Sequence, residues 1–345
     1  MLKKILVVGL FLSEKNKNKI YRSAADQLAE LLEKNNYPVI KVSTHVGKIF
    51  RFVDTIFTII KSSPQYSIAI VPLYGGPASL FWAEAATTAL KLLNKKVIII
   101  IHGGSIPLRL KTKEAKGYLR VVKKADVIAC PSNYIIEALK EHKVESILIE
   151  NVLNLDDYSF HPKEKFNPKI LWMRTFEDVY NPLMAVKVFA KIKSIFNDAK
   201  MIMAGHDRGM FQQTIDLAKE LEVFDSIEFP GYITNQQKNN FAKDFDFYIC
   251  TNQVDNAPVT IIEMMTLGLP VVTVDSGGIP FIVENNVTGK VIKFNDVDAM
   301  VNAIKFIIEN PEEGKRIVAN AKEYAKRYGE VWVIKKWKNV FETLN

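Results

Sequence analysis

Short apolar runs of strand length alternate along the chain with longer segments of helical period. Helical segments include Ala24–Lys34, Leu80–Leu93 and Asn133–Glu141. Strands that alternate with helices of this length are typical of parallel sheets built from βαβ units. The apolar runs of the first half predict strands near residues 3–8, 38–42, 67–72, 96–101, 126–129 and 145–149.

A second series of the same kind follows the polar, proline-bearing stretch 156–168, which we interpret as a linker. Its strands are predicted near residues 169–173, 199–204, 226–229, 246–250 and 270–274. Two series predict an α/β fold of two doubly wound, Rossmann-like domains, residues 1–160 and 161–328. Residues 329–345 are predicted to form a last helix with Trp332 and Trp337 as packing anchors. Ligands are then expected beyond the carboxyl ends of the strands, in a cleft between facing domains.

Composition fits two domains and restricts the partners. The chain has 345 residues, 48% of them apolar, which is enough for two cores. Its 46 Lys and Arg against 38 Asp and Glu give a net charge of +8, which favours anionic partners without choosing among them. Cys130 and Cys250 each close an apolar run and are expected to be buried free thiols in a reducing compartment. With no signal-peptide pattern and no apolar run of roughly 18 residues, we expect a cytoplasmic protein.

The stretch that begins at Asp255 carries the most informative chemistry. Two carboxylates, Asp255 and Glu263, stand eight residues apart across a predicted helix start. Asn256 can cap this helix and Pro258 suits its first position, so the N–H groups of about residues 257–260 should point outward together. Such a helix start binds phosphate, and Glu263, one turn further on, can accept hydrogen bonds from ribose hydroxyls.

This stretch resembles the carboxylate-seven-carboxylate motif of the retaining, GT-B-fold glycosyltransferases of family 4 (glycosyl transferases group 1). The resemblance implies that Glu263 binds the nucleotide ribose. It also implies that Asp255, one methylene shorter than the usual Glu, faces the donor sugar. The diphosphate would lie against the helix start, formed by Asn256, Ala257, Pro258, Val259 and Thr260.

Further segments of the second half match the same family in order. Arg174 follows the strand 169–173, where the family has an arginine that pairs with the diphosphate, a role that suits a planar, always charged guanidinium. The family's lysine a few residues later is replaced here by Tyr180-Asn181-Pro182. Gly205 lies in a turn that would pass under the nucleotide, and Arg208 could restore the missing charge, cap the next helix or face solvent.

Two more segments complete the match in the second half. The loop with Tyr232 resembles the one whose main chain meets the base. The runs 268–273 and 276–280 resemble the family's strand and following glycine turn. They form the longest continuous resemblance in the chain.

The first half matches more sparsely and would be the acceptor-side domain, onto which the family's last helix crosses back. His102 ends the strand 98–101, where the family has a histidine that contacts the donor sugar near the reacting carbon. A histidine after an apolar strand can also be a structural hydrogen-bonding group, so both interpretations stay open. The run 9–13 lacks the family's paired glycines, so residues Lys15–Lys19 could shape the acceptor loop instead.

The resemblance therefore implies a retaining glycosyltransferase that moves a sugar from a nucleotide-diphosphate donor to an acceptor hydroxyl. His102, Arg174 and Asp255 would be the catalytic residues, with no metal and no resident cofactor. The acceptor could be a glycan, a lipid-linked molecule or a small molecule. Two alternatives remain: a non-catalytic binder of nucleotide-sugars or glycans with the same fold, and a nucleotide-sugar epimerase or phosphorolytic enzyme.

Other motif classes are absent from the sequence. No Walker loop, no Gly-x-Gly-x-x-Gly and no Gly-x-Ser-x-Gly elbow occurs. The basic, aromatic segment Lys48–Phe57 and the lysine-rich segment Lys111–Lys124 allow two interpretations, docking on a peripheral membrane surface or a core-packed helix with a solvated basic face. Nucleic acid is not expected as a partner, since no stacking module accompanies the charge.

Overall fold

The computed structural model describes residues 3–11, 23–45 and 47–344. These residues form two compact units. Unit 1 comprises the described residues up to Leu153 together with those from Tyr328 onward, and unit 2 is Asn154–Arg327. Residues Lys15–Lys19, proposed above to shape a loop, lie outside the described residues.

Each unit is built on one six-stranded sheet in which all pairs of neighbouring strands are parallel. The strands are β1 (Lys4–Val8), β2 (Val39–Val42), β3 (Tyr66–Leu73), β4 (Lys96–Ile101), β5 (Val127–Cys130), β6 (Ile147–Leu148), β7 (Lys169–Met173), β8 (Lys200–Ala204), β9 (Ile227–Gly231), β10 (Phe247–Cys250), β11 (Val271–Val274) and β12 (Lys290–Ile292). The order is β2-β1-β3-β4-β5-β6 in unit 1 and β12-β11-β10-β7-β8-β9 in unit 2. The predicted fold, two Rossmann-like α/β sheets, is thus confirmed.

Helices α1 to α10 lie between strands along the chain, and α11 to α13 follow the last strand. They are α1 (Ala24–Lys34), α2 (Lys48–Lys61), α3 (Pro77–Leu92), α4 (Ile106–Leu110), α5 (Ala115–Val122), α6 (Asn133–Lys140), α7 (Pro182–Ile195), α8 (Phe211–Glu220), α9 (Asn235–Asp244), α10 (Val259–Leu267), α11 (Val297–Glu309), α12 (Pro311–Ala325) and α13 (Glu330–Leu344). Local sequence explains where several begin: Ser23 and Asp26 form a capping box at α1, and Thr234 and Gln237 form another at α9.

The sheet of unit 1 is covered on both faces, which is why its strands read as continuous apolar runs. One face packs against α2 to α6, with Ile59, Leu90 and Tyr118 among the buried side chains. The other face packs against α1 and α13, where Trp337 is buried and stacks on Phe341. Trp332 does not act as the second anchor that the sequence predicts, because on α13 it falls on the face away from the core and is 55% exposed.

The core of unit 2 holds its sheet between α7, α8, α11 and α12. The stretch 156–168, interpreted above as a linker, is part of this unit and contributes the buried side chains Tyr158 and Phe166. Cys130 and Cys250 are buried free thiols, as predicted, and burial raises the pKa of Cys130 to about 12. No helix among the described residues is both long and apolar enough to cross a bilayer.

Candidate active site

Several of the predicted site residues gather at one edge of the unit 2 sheet. Arg174 directly follows β7, and Gly205 directly follows β8. Asp255 lies in the loop after β10, and Gly277 in the turn after β11. Because these strands are parallel and adjacent in the sheet, their carboxyl ends meet at the same edge.

The side chains of Arg174 and Asp255 form an ion pair at this edge. Arg174 Nη2 donates to Asp255 Oδ2 at 2.6 Å, and both side chains are more than four-fifths buried. The guanidinium also lies 5.1 Å from the ring centre of Tyr180, which occupies the place of the missing lysine. Burial lowers the pKa of Arg174, but the charge of Asp255 together with the nearby Tyr248, Cys250 and Tyr180 outweighs burial, so the pKa is raised. Arg174 is therefore a permanent cation held by one carboxylate and one aromatic face.

Asp255 is oriented by its own surroundings. Oδ2 also accepts from Asn252 Nδ2 at 2.9 Å, and Oδ1 accepts from the backbone N–H of Asn256 at 2.8 Å. The turn after β11 packs directly on this backbone: a Cβ on Gly277 would come 2.3 Å from Asp255 O, and one on Gly278 would come 1.8 Å from Asn256 O. Only glycine permits this approach, which explains the paired glycines after β11.

The helix that follows starts later than the sequence predicts. α10 begins at Val259, Pro258 occupies the cap position, and no side chain caps the helix there. The predicted cap by Asn256 and first position for Pro258 are therefore wrong, because Gly278 N–H donates to Asp255 O at 2.7 Å and keeps residues 255–256 in the turn. The N–H groups of Val259 and Thr260 still belong to the first helical turn, which has no intrahelical acceptors. Ala257 precedes them outside the helix.

Glu263 is the one charged residue of α10 and is buried together with two partners. Its Oε1 accepts from Tyr158 Oη at 2.7 Å and from Lys238 Nζ at 2.9 Å, and its Oε2 accepts from Lys238 Nζ at 2.8 Å. Burial, and then the charge of Glu263, raise the pKa of Tyr158, so the phenol stays a neutral donor. The carboxylate predicted to bind ribose is thus already satisfied by a phenol and an ammonium.

Tyr248 on β10 connects the two charged groups. Its hydroxyl donates to Thr260 Oγ1 at 3.0 Å and lies 3.5 Å from Met173 O, next to Arg174. Burial raises its pKa, the charge of Arg174 lowers it and the charge of Glu263 raises it. Tyr248 contacts both Thr260 at the start of α10 and the residue before Arg174, so the start of α10 and Arg174 are neighbours at this edge.

The remaining predicted residues of unit 2 surround this neighbourhood from β8 and β9. Gly205 N–H donates to Gly231 O at 2.8 Å, and a Cβ on Gly205 would come 1.8 Å from Arg174 O. Arg208 is exposed and forms no ion pair with a carboxylate of the described chain. It does not cap α8, whose cap residue is Met210. Asp207 Oδ1 accepts from the N–H of Gly209 at 2.7 Å and from that of Phe211, the first residue of α8, at 3.2 Å. Tyr232 stacks on His206 with ring centres 5.0 Å apart.

His102 belongs to unit 1 and directly follows β4. Its ring is only partly exposed and stacks on Tyr74, with centres 5.4 Å apart. Burial lowers the pKa of His102 to about 4, so the imidazole is neutral at pH 7 and can donate or accept a hydrogen bond. Its proposed contact with the donor sugar stays a prediction.

Sequence reasoning missed three groups at the site: Tyr158, Lys238 and Asn252. Tyr158 lies in the stretch taken for a linker, and Lys238 lies on a polar helix where a lysine gives no signal. A buried glutamate on an apolar helix requires a charged partner. The sequence therefore indicates that Glu263 has such a partner, but it does not indicate which residue this is. No group of three His, Cys, Asp or Glu with metal-site geometry occurs among residues 3–11, 23–45 and 47–344.

Comparison with known families identifies proteins that this chain resembles. The family model described as glycosyl transferases group 1 matches residues 157–324, which is nearly all of unit 2. This match places unit 2 in the group 1 glycosyltransferase family. The chain is 22% identical to the N-acetyl-alpha-D-glucosaminyl L-malate synthase of Bacillus anthracis, over 66% of this chain and 62% of that protein. It spans between 35% and 62% of the length of the first curated relatives that it matches.

Comparison with solved structures supports the GT-B fold for this chain. The sucrose-phosphate synthase of Thermosynechococcus elongatus aligns with a TM-score of 0.81 at 14% identity, over 99% of both chains. HepE of Anabaena, crystallised with UDP, aligns with a TM-score of 0.74 at 15% identity, over 99% of this chain and all of that one. At such low identity the likeness shows the fold alone.

Proposed function

We propose that this protein is a retaining glycosyltransferase that transfers a sugar from a nucleotide-diphosphate donor to an acceptor hydroxyl. Unit 2 would bind the donor and unit 1 the acceptor. The observation that carries the proposal is that Arg174, Asp255 and the start of α10 lie at one edge of one sheet, with Glu263 one turn further along α10. HepE of Anabaena, with the same fold, has been crystallised with UDP, which supports a nucleotide ligand of this type.

The diphosphate would be bound by Arg174 and by the first amides of α10. A guanidinium offers two parallel donors to phosphate oxygens, and a helix start adds N–H donors and a partial positive charge. Exposed Arg208, which follows Gly205 in the turn after β8, would supply a second cation in place of the missing lysine. These groups would provide the charge that a metal ion supplies elsewhere, so we propose transfer without a metal or a resident cofactor.

The ribose would bind at Glu263. Tyr158 and Lys238 fix the position of this carboxylate, and a carboxylate has about four lone-pair sites, of which these partners take three. The remaining site would accept a ribose hydroxyl, and the two sites that Lys238 takes would become accessible if Lys238 turned to a phosphate or to solvent. The stacked pair of His206 and Tyr232 would lie beside the base, which the main chain of the Tyr232 loop would contact.

In the reaction, the bond between the anomeric carbon and the diphosphate oxygen breaks while Arg174 and the helix amides stabilise the negative charge that grows on the leaving group. The acceptor oxygen would then bond to the anomeric carbon from the side on which the diphosphate departs, which retains the configuration. The acceptor proton would pass to the departing phosphate oxygen. Asp255, and neutral His102 from unit 1, would contact the donor sugar.

A non-catalytic binder is the second candidate, and one observation favours it. Asp255 is occupied by Arg174, Asn252 and the Asn256 amide, so it reaches the sugar only if Arg174 leaves it. A diphosphate offers Arg174 an alternative anion, and its arrival would free one of the acceptor positions on Asp255 Oδ2, which keeps its hydrogen bond from Asn252. The enzyme therefore requires that this ion pair opens when the donor binds, whereas a binder does not.

Incubation with a panel of nucleotide-sugars separates these functions. Release of nucleoside diphosphate, by transfer or by slow donor hydrolysis, supports the enzyme, and an α-linked product from an α-linked donor supports retention. Turnover that persists in EDTA supports metal independence. Tight binding without turnover against a broad acceptor panel would instead establish a binder, and an epimerised nucleotide-sugar as sole product would overturn transfer.

A further inference from the structure

An exposed apolar stripe runs along α2 in unit 1. It consists of five large apolar residues, Ile49, Phe50, Val53, Phe57 and Ile60, which are 79%, 74%, 59%, 58% and 57% exposed, respectively. At 3.6 residues per turn, they fall within about 100° of the helix circumference and extend over about 17 Å. A contiguous exposed apolar surface of this kind marks an interaction site in a folded protein.

The stripe corrects one interpretation drawn from the sequence. A core-packed helix with a solvated basic face would bury the large apolar residues of α2. Instead, Thr55 and Ile59 are its buried members, while the stripe faces solvent. The reason is that α2 has two apolar sides. One side packs on the sheet, and the other side, the stripe, stays exposed to solvent.

Neighbouring side chains extend the apolar surface. Phe52 of α2 stacks on Phe81 of α3, with ring centres 5.6 Å apart, and Phe81 is 65% exposed. Arg51 lies over the indole of Trp82, 4.8 Å from the ring centre. The stripe is therefore the centre of a wider surface made by α2 and the start of α3.

Basic side chains flank this surface. Lys48 begins α2 and Lys61 ends it, with Asp54 as the acidic residue of the helix. α2, α3 and α5 bury side chains in one core on the same sheet face, and α3 contacts both of the others. The exposed lysines before, on and after α5 form no ion pair with a described carboxylate: Lys111, Lys113, Lys116 and Lys123.

We propose that the α2 stripe docks unit 1 on an anionic lipid bilayer. The apolar side chains would enter the boundary of the acyl chains, while Lys48, Lys61 and the lysines around α5 contact the anionic headgroups. Charge complementarity selects this occupant, because an apolar stripe bordered by unpaired cations matches a surface that is apolar inside and negative outside. The inference rests on unit 1 alone and goes beyond the proposed transfer reaction.

Flotation with lipid vesicles tests the docking. The full chain, without nucleotide, is mixed with vesicles of phosphatidylcholine or of phosphatidylcholine with about one third phosphatidylglycerol. The wild type should float with the anionic vesicles, and raised salt should weaken this. The stripe variant Phe50→Ser/Val53→Ser/Phe57→Ser should partition onto the vesicles at least about tenfold less than the wild type, because each change removes apolar side-chain area that the bilayer would bury. Lys48→Glu/Lys61→Glu should also lower it.

A matched control is available on the other sheet face. Val331 and Trp332 on α13 are 79% and 55% exposed, so Val331→Ser/Trp332→Ser removes similar exposed apolar surface elsewhere and should float like the wild type. Thermal unfolding of each variant checks that the fold is kept, which is expected because every changed side chain is exposed.

Three results would overturn the proposal. They are a wild type that stays unbound with anionic vesicles, a stripe variant that floats as the wild type does, and equal flotation with neutral vesicles. A wild-type dimer that the stripe variant converts to a monomer, with no flotation, would assign the stripe to a second copy of the chain. Because no nucleotide is present, each result is independent of whether the transfer reaction occurs.

Discussion

Arg174 and Asp255, which the sequence assigns to two separate roles, are bound to each other across 2.6 Å. Asp255 has two further donors, Asn252 and the Asn256 amide, whereas Arg174 has the ring of Tyr180, and its Nε has no acceptor within the described part of the chain. The arginine therefore depends on the pair more than the aspartate does. This asymmetry has measurable consequences.

We predict that Asp255→Ala destabilises the protein more than Arg174→Ala. Removing Asp255 leaves a largely buried cation without a counter-ion, which should lower the free energy of unfolding by about 2–3 kcal/mol. Removing Arg174 leaves Asp255 with two donors and should cost about 1 kcal/mol. Urea unfolding of both variants measures the difference. Equal losses would show that the pair is not the main support of Arg174.

Lys238→Ala should reveal how much the site depends on the partner of Glu263. The variant leaves a buried carboxylate with Tyr158 as its donor, so the free energy of unfolding at pH 7 should fall by about 2–3 kcal/mol.

Urea unfolding of the wild type and Lys238→Ala at pH 7 tests this, with Lys305→Ala as a control because that lysine pairs with Glu309 on the exposed face of α11. The control should stay within about 0.5 kcal/mol of the wild type. A Lys238→Ala variant as stable as the control would contradict the account of Glu263.

Gly278→Ala should damage the site through the backbone. The new Cβ would come 1.8 Å from Asn256 O, so the turn after β11 or residues 255–256 must shift. We expect a loss of about 1–3 kcal/mol in stability together with weaker nucleotide binding. Gly47→Ala is the matched control, since its Cβ would meet Phe50 Cδ2 at an ordinary 3.6 Å. Nucleotide affinity unchanged in Gly278→Ala would show that this contact does not position the site.

His102 should make stability depend on pH. Its pKa is lowered from 6.5 to about 4 by burial, so below pH 6.5 the unfolded chain binds a proton that the folded chain does not. The contribution of neutral His102 to the free energy of unfolding is therefore fully present above about pH 6.5 and is lost as the pH falls toward 4. Discounted for the partial exposure of the ring, the loss at pH 5 should be roughly 1 kcal/mol. His102→Asn should flatten the unfolding free energy in this window, and an unchanged slope would rule out His102 as its source.

The sequence predicted the architecture well because buried parallel strands leave a strong signal. The all-apolar run Ile98–Ile101 and the strand before Arg174 can be recognised without any tertiary information. The position of Arg174 and Gly205 at one edge also followed, since parallel strands bring their carboxyl ends together.

The details of the site did not follow from the sequence. Asn256 was predicted as a cap, but the packing of Gly277 and Gly278 against residues 255–256 holds that turn outside the helix, and such a contact joins segments more than 20 residues apart. The partners of Glu263 come from 105 and 25 residues away. The exposed face of α2 also could not be predicted, because period alone does not show which of two apolar sides meets the sheet.

Calorimetric titration with a panel of nucleoside diphosphates tests the central claim most directly. We predict that at least one nucleoside diphosphate binds the wild type. Arg174→Ala and Glu263→Gln should each weaken that binding at least about tenfold, because each variant loses one charge-assisted contact with the ligand. The surface variants Arg316→Ala and Glu309→Gln are matched controls in unit 2 and should bind as the wild type does. Unchanged affinity in both Arg174→Ala and Glu263→Gln would contradict the claim that the nucleotide binds at the start of α10.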